Sequence, residues 1–269
     1  MPHSAEAFLR RFGPAALVTG ASNGIGRAIA ALLASYGLDL VLVARNEAAL
    51  SEIAKDLAAR HGIGVTLIPA DLSQPGAVDA ILGHPATERV GLLVAAAGFG
   101  SAGRFDQLPV ANELAMVDVN CRAVVALAHG IAPRLVARGQ GGIILFASLV
   151  GWQGTPFAAT YAATKAFVQS FGEALHRELR PVGVDVLVAA PGPVATGFGD
   201  RAGMALTMMD TADIVGADIL RALGKRGQVA PGRVGRLLTL ALWPVPRALR
   251  IFIMGRIMKG MVQGKEDVR

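Results

Sequence analysis

Segments of strand length recur along this chain, and nearly every residue within them is apolar. They are residues 15–19, 38–44, 64–69, 91–97, 142–148 and 184–190, with a shorter segment at 227–230. Continuous rather than alternating apolar character is typical of strands buried on both faces, as in a parallel sheet. Helices have to cover such a sheet, so the pattern predicts an α/β fold.

The segments between these strands have helical periodicity and are long enough to cross over the sheet. The predicted helices are residues 24–36, 46–60, 111–137, 156–180 and 211–224. Alternation of strands and helices predicts a doubly wound, mostly parallel open sheet with right-handed crossovers. The 269 residues suffice for one such domain, which we predict over residues 1–231, followed by a C-terminal extension of residues 232–269.

Few residues of this chain suit a disulfide or a metal site. Cys121 is the only cysteine, which excludes an intrachain disulfide and favours a reducing, cytoplasmic location. The five histidines are scattered without metal-ligand spacing, so no metal site is predicted. The N-terminal residues lack the apolar segment of a secretory signal, and no run of about 18 apolar residues predicts a membrane-spanning helix.

Positive charge is concentrated at the C-terminal end of the chain. Residues 225–269 contain ten Lys or Arg and two acidic residues, a net charge of +8, whereas residues 1–224 sum to −2. The main domain therefore lacks the basic surface of a nucleic-acid-binding protein, and only its C-terminal segment is basic.

A glycine-rich turn joins the first strand to the first predicted crossover helix. The stretch "TGASNGIGRAIA", residues 19–30, places Gly20, Gly24 and Gly26 between the two elements. Such a turn lets the backbone approach a pyrophosphate, and the helix N-terminus then offers N–H groups and a positive dipole end. The spacing is G-x-x-x-G-x-G, and a tight turn without a ligand is the alternative interpretation.

The end of the second strand bears on the choice of cofactor. A site for NAD usually has an acidic residue there that binds the ribose 2′-hydroxyl. This chain has Ala44 and Arg45, and the nearest acid, Asp39, lies at the opposite end of the strand. A guanidinium favours a 2′-phosphate, so NADP(H) is predicted over NAD(H). The alternative is that Arg45 is only a solvated cation.

Tyr161 and Lys165 stand four residues apart in the helical stretch "YAATKAF", residues 161–167. That spacing places both side chains on one helix face, one turn apart. They form either a solvated polar face or an acid with a cation that tunes it, and this short motif alone does not decide between the two.

Several short motifs occur in order at successive strand ends. They are "TGASNGIG" at 19–26, "AAAG" at 95–98, Asn120, Ser148, "YAATK" at 161–165 and "PGPVAT" at 191–196. Together they resemble the short-chain dehydrogenase/reductase family in its single-domain form, over residues 14–230. The resemblance implies a seven-stranded Rossmann-like sheet and an NAD(P)-dependent oxidoreductase that transfers hydride at a carbonyl or alcohol. It also implies a homodimer or homotetramer formed through the long helices, for which residues 111–137 and 156–180 are suitable.

The resemblance also implies roles for individual residues. Asn120, Ser148, Tyr161 and Lys165 match the catalytic residues. The cofactor-binding residues implied are Gly20, Ser22, Asn23, Gly24, Ile25 and Gly26 in the turn, Asp71 and Leu72 at the adenine, Ala97 and Gly98 at the ribose, and Pro191, Gly192, Val194 and Thr196 near the nicotinamide. The family usually has Asn-Asn-Ala-Gly where this chain has Ala95-Ala96-Ala97-Gly98, so two amides that support the neighbouring strand are absent.

The side chains themselves suit carbonyl reduction, which needs a hydride at carbon and a proton at oxygen. A free tyrosine has a pKa of about 10, so the Lys165 ammonium is expected to lower the pKa of Tyr161 and also to hold the nicotinamide ribose. Ser148 can polarise the substrate oxygen, and Asn120 can hold a water that links Lys165 to solvent. Taken singly, Ser148 could cap a loop, Asn120 could bond its own helix and Tyr161 could be an ordinary aromatic.

The loop after the sixth strand and the C-terminal extension are expected to set substrate specificity. The loop, residues 197–210, supplies the apolar residues Phe198, Met204, Leu206, Met208 and Met209. Phe198 and Met204 are predicted to contact a hydrophobic substrate, with lid packing as the alternative. In the extension, Pro244 and Pro246 should separate two short helices. We expect it to pack on the body or on a second subunit, with weak membrane-surface contact as the alternative.

Two further hypotheses remain open at this stage. One is a regulator that binds NADP without turnover, although such proteins tend to lose the tyrosine or the lysine that this chain keeps. The other is a membrane-associated scaffold that uses the basic extension.

Overall fold

A seven-stranded sheet forms the centre of the computed structural model, which describes residues 4–204 and 208–266. Its strand order is β3-β2-β1-β4-β5-β6-β9, and every adjacent pair is parallel. A separate two-stranded sheet pairs β7 with β8. The strands are β1 Ala15–Thr19, β2 Asp39–Ala44, β3 Val65–Pro69, β4 Val90–Ala95, β5 Gly141–Phe146, β6 Val184–Ala189, β7 Val194–Ala195, β8 Asp210–Thr211 and β9 Gln228–Val229.

Helices cover both faces of the sheet, as the continuous apolar strands require. They are α1 Ala5–Phe12, α2 Gly24–Ser35, α3 Glu47–His61, α4 Ala77–Gly83, α5 Val110–Val117, α6 Ala123–Arg138, α7 Ala159–Leu179, α8 Phe198–Ala202, α9 Ala212–Ala222, α10 Arg233–Leu242 and α11 Arg247–Glu266. One core packs the sheet against α5, α6 and α7, and the other packs it against α1, α2, α3 and α9.

The seven predicted strands are confirmed, each within two residues of its predicted ends. The predicted helix over 111–137 is instead two α-helices joined by a π-helical segment, Asp118–Arg122. A π-helical turn inserts a residue into the helical repeat and re-aims the side chains around it, here including Asn120. The small helices α1, α4 and α8 and the two-stranded sheet were not predicted, because short elements carry little periodic signal.

The stretch Val110–Arg138 is long and apolar enough to cross a membrane by length and composition alone. Core helices pass the same test, and Met116, Val124, Leu127 and Ile131 of this stretch are buried against the sheet. This stretch is therefore weak evidence for a membrane span.

The C-terminal extension is fastened to the main domain by two carboxylates. Asp210 accepts hydrogen bonds from the backbone N–H groups of Arg233 and Val234 at 2.9 and 3.0 Å, which caps the N-terminus of α10. Asp218 accepts from the Gly232 N–H at 3.0 Å and pairs with Arg236. The predicted pair of helices is present, although α11, at 20 residues, is not short.

Candidate active site

The glycine turn adopts a backbone that side chains would block. Gly20 and Gly24 have φ values of +67° and +58°, in the left-handed region. A Cβ atom on Gly20 would lie 2.9 Å from the Ala97 backbone, and one on Gly26 would collide with the Gly20 carbonyl oxygen. The turn can therefore bring its backbone close to both a ligand and the end of β4.

The first turn of α2 faces the cleft at the sheet's carboxyl edge. Asn23 is the N-cap residue, and its Oδ1 accepts from the Gly24 N–H at 2.7 Å. A Cβ atom on Gly24 would lie 2.9 Å from the Thr196 Cγ2, so the loop after β6 closes over this turn. A helix N-terminus beside a glycine-lined cleft suits a pyrophosphate.

Opposite charges meet where β2 and β3 end. The Arg45 guanidinium lies 4.0 Å from the Asp71 carboxylate. Burial alone would raise the pKa of Asp71, but hydrogen bonds from Ser73 and the positive charges of Arg45 and Arg201 outweigh it and hold that pKa below its usual value. Asp39, at the other end of β2, accepts from the Gly64 N–H at 2.8 Å. It is thus remote from a ribose bound beside Arg45.

Tyr161 and Lys165 lie in the first two turns of α7 and are both buried. The Ser148 side chain lies close enough to the Tyr161 hydroxyl to lower its pKa. The Lys165 Nζ donates to the Phe146 carbonyl at 2.8 Å and lies 5.8 Å from the centre of the Tyr161 ring. A phenol, a hydroxyl and an ammonium therefore converge beside the end of β5.

Burial dominates the acid–base properties of this pair. It raises the pKa of Tyr161 to about 12, against the hydrogen bond with Ser148. It lowers the pKa of Lys165 to about 8, against the opposing charge of Cys121. The sequence-based expectation that Lys165 lowers the pKa of Tyr161 is therefore wrong for this structure. Because the pKa of Lys165 is about 8, its ammonium can support a Tyr161 phenolate only below that pH.

Asn120 joins the end of β4 to α7. Its Oδ1 accepts from the Phe99 N–H at 3.1 Å, and its Nδ2 donates to the Phe99 carbonyl at 2.9 Å and to the Thr164 Oγ1 at 3.1 Å. The side chain thus bonds outside its own helix, and both amide hydrogens are used. A water that links Asn120 to Lys165 remains a prediction.

Gly98 separates Asn120 from Lys165. A Cβ atom at this position would lie 3.0 Å from the Asn120 Oδ1 and 3.5 Å from the Lys165 Nζ. Ala95 and Ala96 stand where the family usually has two Asn side chains. The end of β4 is held by another contact, in which the Thr19 Oγ1 accepts from the Ala97 N–H at 3.0 Å.

One cavity of 960 Å³ brings nearly all the predicted site residues together. Lys165 and Asn120 are not among the residues that line it. The predicted residues that line it are Gly20, Ser22, Asn23, Gly24, Ile25, Gly26, Arg45, Asp71, Leu72, Ala97, Gly98, Ser148, Tyr161, Pro191, Gly192, Val194, Thr196, Phe198 and Met204. Met208 also lines the cavity, and Leu206 lies outside the described residues.

The C-terminal extension forms a wall of the same cavity. Residues of α10 and α11 supply an apolar lining that consists of Val234, Leu237, Leu238, Ala241, Leu242, Ile253, Met254, Ile257, Met258 and Met261. The α10 helix lies so close to the loop after β6 that a Cβ atom on Gly192 would be 2.9 Å from the Gly235 Cα. The extension therefore packs on the body, as predicted, and adds to the cavity.

Sequence reasoning missed Arg201 and Phe99, which also line the cavity. The Arg201 guanidinium lies 4.7 Å from the centre of the Phe99 ring. Arg201 is the only Lys or Arg in residues 197–210. An isolated cation in a mostly apolar loop is the sequence feature that could have identified it as a site residue. No cluster of three or more His, Cys, Asp or Glu side chains suited to a metal occurs in the part of the chain that the structure describes.

The chain is similar to proteins of one known family over most of its length. The family described as short chain dehydrogenase matches residues 14–205. A 7beta-hydroxysteroid dehydrogenase of Clostridium sardiniense is 32% identical over 189 residues, 70% of this chain and 72% of that protein. A very-long-chain 3-oxoacyl-CoA reductase of Pyricularia oryzae is 36% identical over 65% of this chain, which spans only 54% of that relative.

A solved structure is also similar over most of its length. It is a short-chain dehydrogenase from Sphingobium yanoikuyae in complex with NADPH, 32% identical, with a TM-score of 0.76. The match covers 87% of this chain and 97% of that one.

We expect Gly26→Ala to destabilise the protein, because the added methyl group would meet the fixed carbonyl of Gly20. Overpacking of this kind costs about 1–3 kcal/mol. Chemical denaturation of both variants would measure the loss against Gly83→Ala, since a Cβ atom on Gly83 meets nothing within 4 Å. Equal stability of the two variants would contradict the close approach at this turn.

Proposed function

Since the chain belongs to the short-chain dehydrogenase/reductase family, we propose that this oxidoreductase transfers a hydride between NADP(H) and a carbonyl or alcohol of an apolar substrate. Tyr161 acts as the general acid or base. The observation that carries the proposal is the convergence of Tyr161, Ser148 and Lys165 beside a glycine-lined cleft.

The residues of the cleft fit a dinucleotide. The turn at Gly20, Gly24 and Gly26 leaves room that a Cβ atom would fill, and the N-terminus of α2 suits the pyrophosphate. Arg45 supports NADP(H) over NAD(H) because no acidic side chain occupies the end of β2. The NADPH complex of the Sphingobium relative is consistent with this choice.

Reduction of a carbonyl uses these side chains as follows. NADPH held in this cleft would supply the hydride that the carbonyl carbon needs. The Tyr161 hydroxyl donates its proton to the carbonyl oxygen as the C=O π bond breaks, and this forms the alcohol. Ser148, within hydrogen-bond reach of Tyr161, polarises the same oxygen. The Lys165 ammonium stabilises the resulting phenolate until it regains a proton.

The walls of the cavity support an apolar substrate. Met204, Met208 and Phe198 line it from the loop, and α10 and α11 add ten further apolar residues. Flexible methionine side chains can adapt to substrates of irregular shape. The two relatives named for a hydroxysteroid and a very-long-chain 3-oxoacyl-CoA are in keeping with a large apolar carbonyl compound.

We propose self-association through α5 and α7, as a homodimer or homotetramer. Val110, Leu114 and Val117 on α5 and Phe167 on α7 are large apolar side chains that remain exposed. A patch of this kind on the long helices suits contact with a second copy of the chain.

A second candidate property is contact with an anionic membrane surface by an otherwise cytoplasmic enzyme. Leu240, Trp243, Leu249 and Phe252 surround the turn between α10 and α11 and are largely exposed, Trp243 at 73%. They do not line the cavity, and the extension that carries them is basic. Exposed tryptophan and aliphatic side chains beside Arg and Lys favour the interface of an anionic bilayer.

We expect Tyr161→Phe to bind NADPH about as tightly as the wild type but to lose at least about 100-fold in turnover, because the proton donor is removed. Fluorescence titration and NADPH oxidation with a panel of apolar ketones would measure both. Tyr36→Phe is the matched control, since Tyr36 is the only other tyrosine and packs on Phe8, away from the cavity. Equal turnover of Tyr161→Phe and wild type would refute the acid assignment. Binding without turnover in the wild type would favour the regulator hypothesis.

Reduction should slow as pH rises through about 8, the value to which burial lowers the pKa of Lys165. The reaction needs Lys165 charged and Tyr161 protonated. The first condition is lost above pH 8 and the second holds up to about 12. A profile of kcat/KM against pH would reveal the descending limb, with circular dichroism to confirm that the fold persists. A flat profile up to pH 10 would contradict the role of the ammonium.

Membrane contact can be tested by co-sedimentation with vesicles of phosphatidylcholine, with and without phosphatidylserine. We expect the wild type to sediment only with the anionic vesicles and the double variant Leu240→Ser, Trp243→Ser to remain in the supernatant. Phe105→Ser is the control, because Phe105 is a similarly exposed aromatic residue of the main domain. Unchanged sedimentation of the double variant would exclude this surface.

A further inference from the structure

Some side chains of the C-terminal extension line the cavity and also reach the outer surface. Leu237 of α10 and Ile257 of α11 both line the cavity, yet they are 59% and 43% exposed. Met258 lines the same cavity and is only 3% exposed, so a place in the wall does not by itself expose a side chain. Leu237 and Ile257 therefore lie at an opening of the cavity, and its rim there is apolar.

The exposed apolar side chains near the turn between α10 and α11 continue this rim. Leu240 and Trp243 follow Leu237 at intervals of three residues, so the three lie along one side of α10. On α11, the exposed Leu249 precedes the cavity-lining Ile253 by one helical turn. The surface proposed above for membrane contact thus extends to the opening of the cavity.

The charge of this segment favours an anionic bilayer as the partner of that surface. Residues 233–261 include five Arg and one Lys but no Asp or Glu. The Arg256 guanidinium lies 5.3 Å from the centre of the exposed Phe252 ring. Such a ring can enter the headgroup region while the guanidinium meets the lipid phosphates. A second copy of this chain would instead bring like charges together, which opposes self-association through this surface.

We propose that the substrate is a lipid-soluble ketone or alcohol, which enters the cavity from the bilayer while the enzyme is bound to an anionic membrane. This inference rests on the proposed function. A compound of this kind partitions into lipid, and an apolar rim lets it pass into the cavity without exposing its apolar surface to water. Membrane contact then delivers the substrate as well as holding the enzyme.

The test uses two methyl ketones, a short one that is soluble in water and a long-chain one that stays in vesicles. NADPH oxidation is followed with vesicles of phosphatidylcholine, with and without phosphatidylserine, at the same ratio of ketone to lipid. We expect the wild type to reduce the long ketone at least about tenfold faster with the anionic vesicles, because binding raises the effective concentration of ketone at the enzyme. The short ketone should be reduced equally fast with both.

Two variants locate the surface that is responsible. The double variant Leu240→Ser, Trp243→Ser changes side chains that do not line the cavity. It should therefore keep the wild-type rate with the short ketone and reduce the long ketone equally slowly with both kinds of vesicle. Phe105→Ser, which changes an exposed aromatic residue of the main domain, should behave like the wild type.

The outcomes separate this inference from the proposed function. Equal rates for the long ketone with both kinds of vesicle, in a wild type that reduces the short ketone, would overturn entry from the bilayer and leave the proposed function standing. A preference for anionic vesicles that persists in the double variant would overturn the role of this surface. A wild type that reduces neither these ketones nor the wider panel would remove the proposed function, and this inference with it.

Discussion

All seven strands of the central sheet run in the same direction, and the site depends on this constraint. Parallel strands have their carboxyl ends at one edge, so the segments that follow β1, β2, β4 and β5 open onto the same cleft. Residues distant in sequence, such as Gly20, Arg45 and Ser148, therefore line the same cavity. The parallel sheet of buried apolar strands therefore determines where the polar residues of the site lie.

Within that cleft, burial and charge oppose each other. A pKa raised from 10.0 to about 12 corresponds to about 3 kcal/mol against the phenolate form of Tyr161. The Lys165 Nζ lies 5.8 Å from the ring centre, and its charge favours the phenolate. It does not overcome burial, because the pKa of Tyr161 stays above that of a free tyrosine. The ammonium acts in this sense only below about pH 8, where Lys165 keeps its proton.

Motifs read from the sequence predicted the strands, the glycine turn and the Tyr161–Lys165 pair, because each depends on local spacing. The same reasoning failed where tertiary environment decides. Periodicity predicted one helix, whereas the structure has a π-helical segment there, and Asn120 in that segment bonds Phe99. The expected pKa of Tyr161 was too low, because the burial that raises it depends on the whole fold. Arg201 escaped notice because the ring that it contacts, Phe99, is more than 100 residues away in sequence.

The C-terminal extension shows how a common fold can acquire a particular cavity. Asp210 and Asp218 bind its first backbone N–H groups, so α10 is held against the loop that follows β6. Close approach of Gly192 and Gly235 then leaves no room for side chains between the two segments. With the backbone fixed in this way, the inner faces of α10 and α11 form a wall of the cavity. Much of its apolar lining comes from the extension, whereas Tyr161 and Lys165 lie on α7 of the main domain.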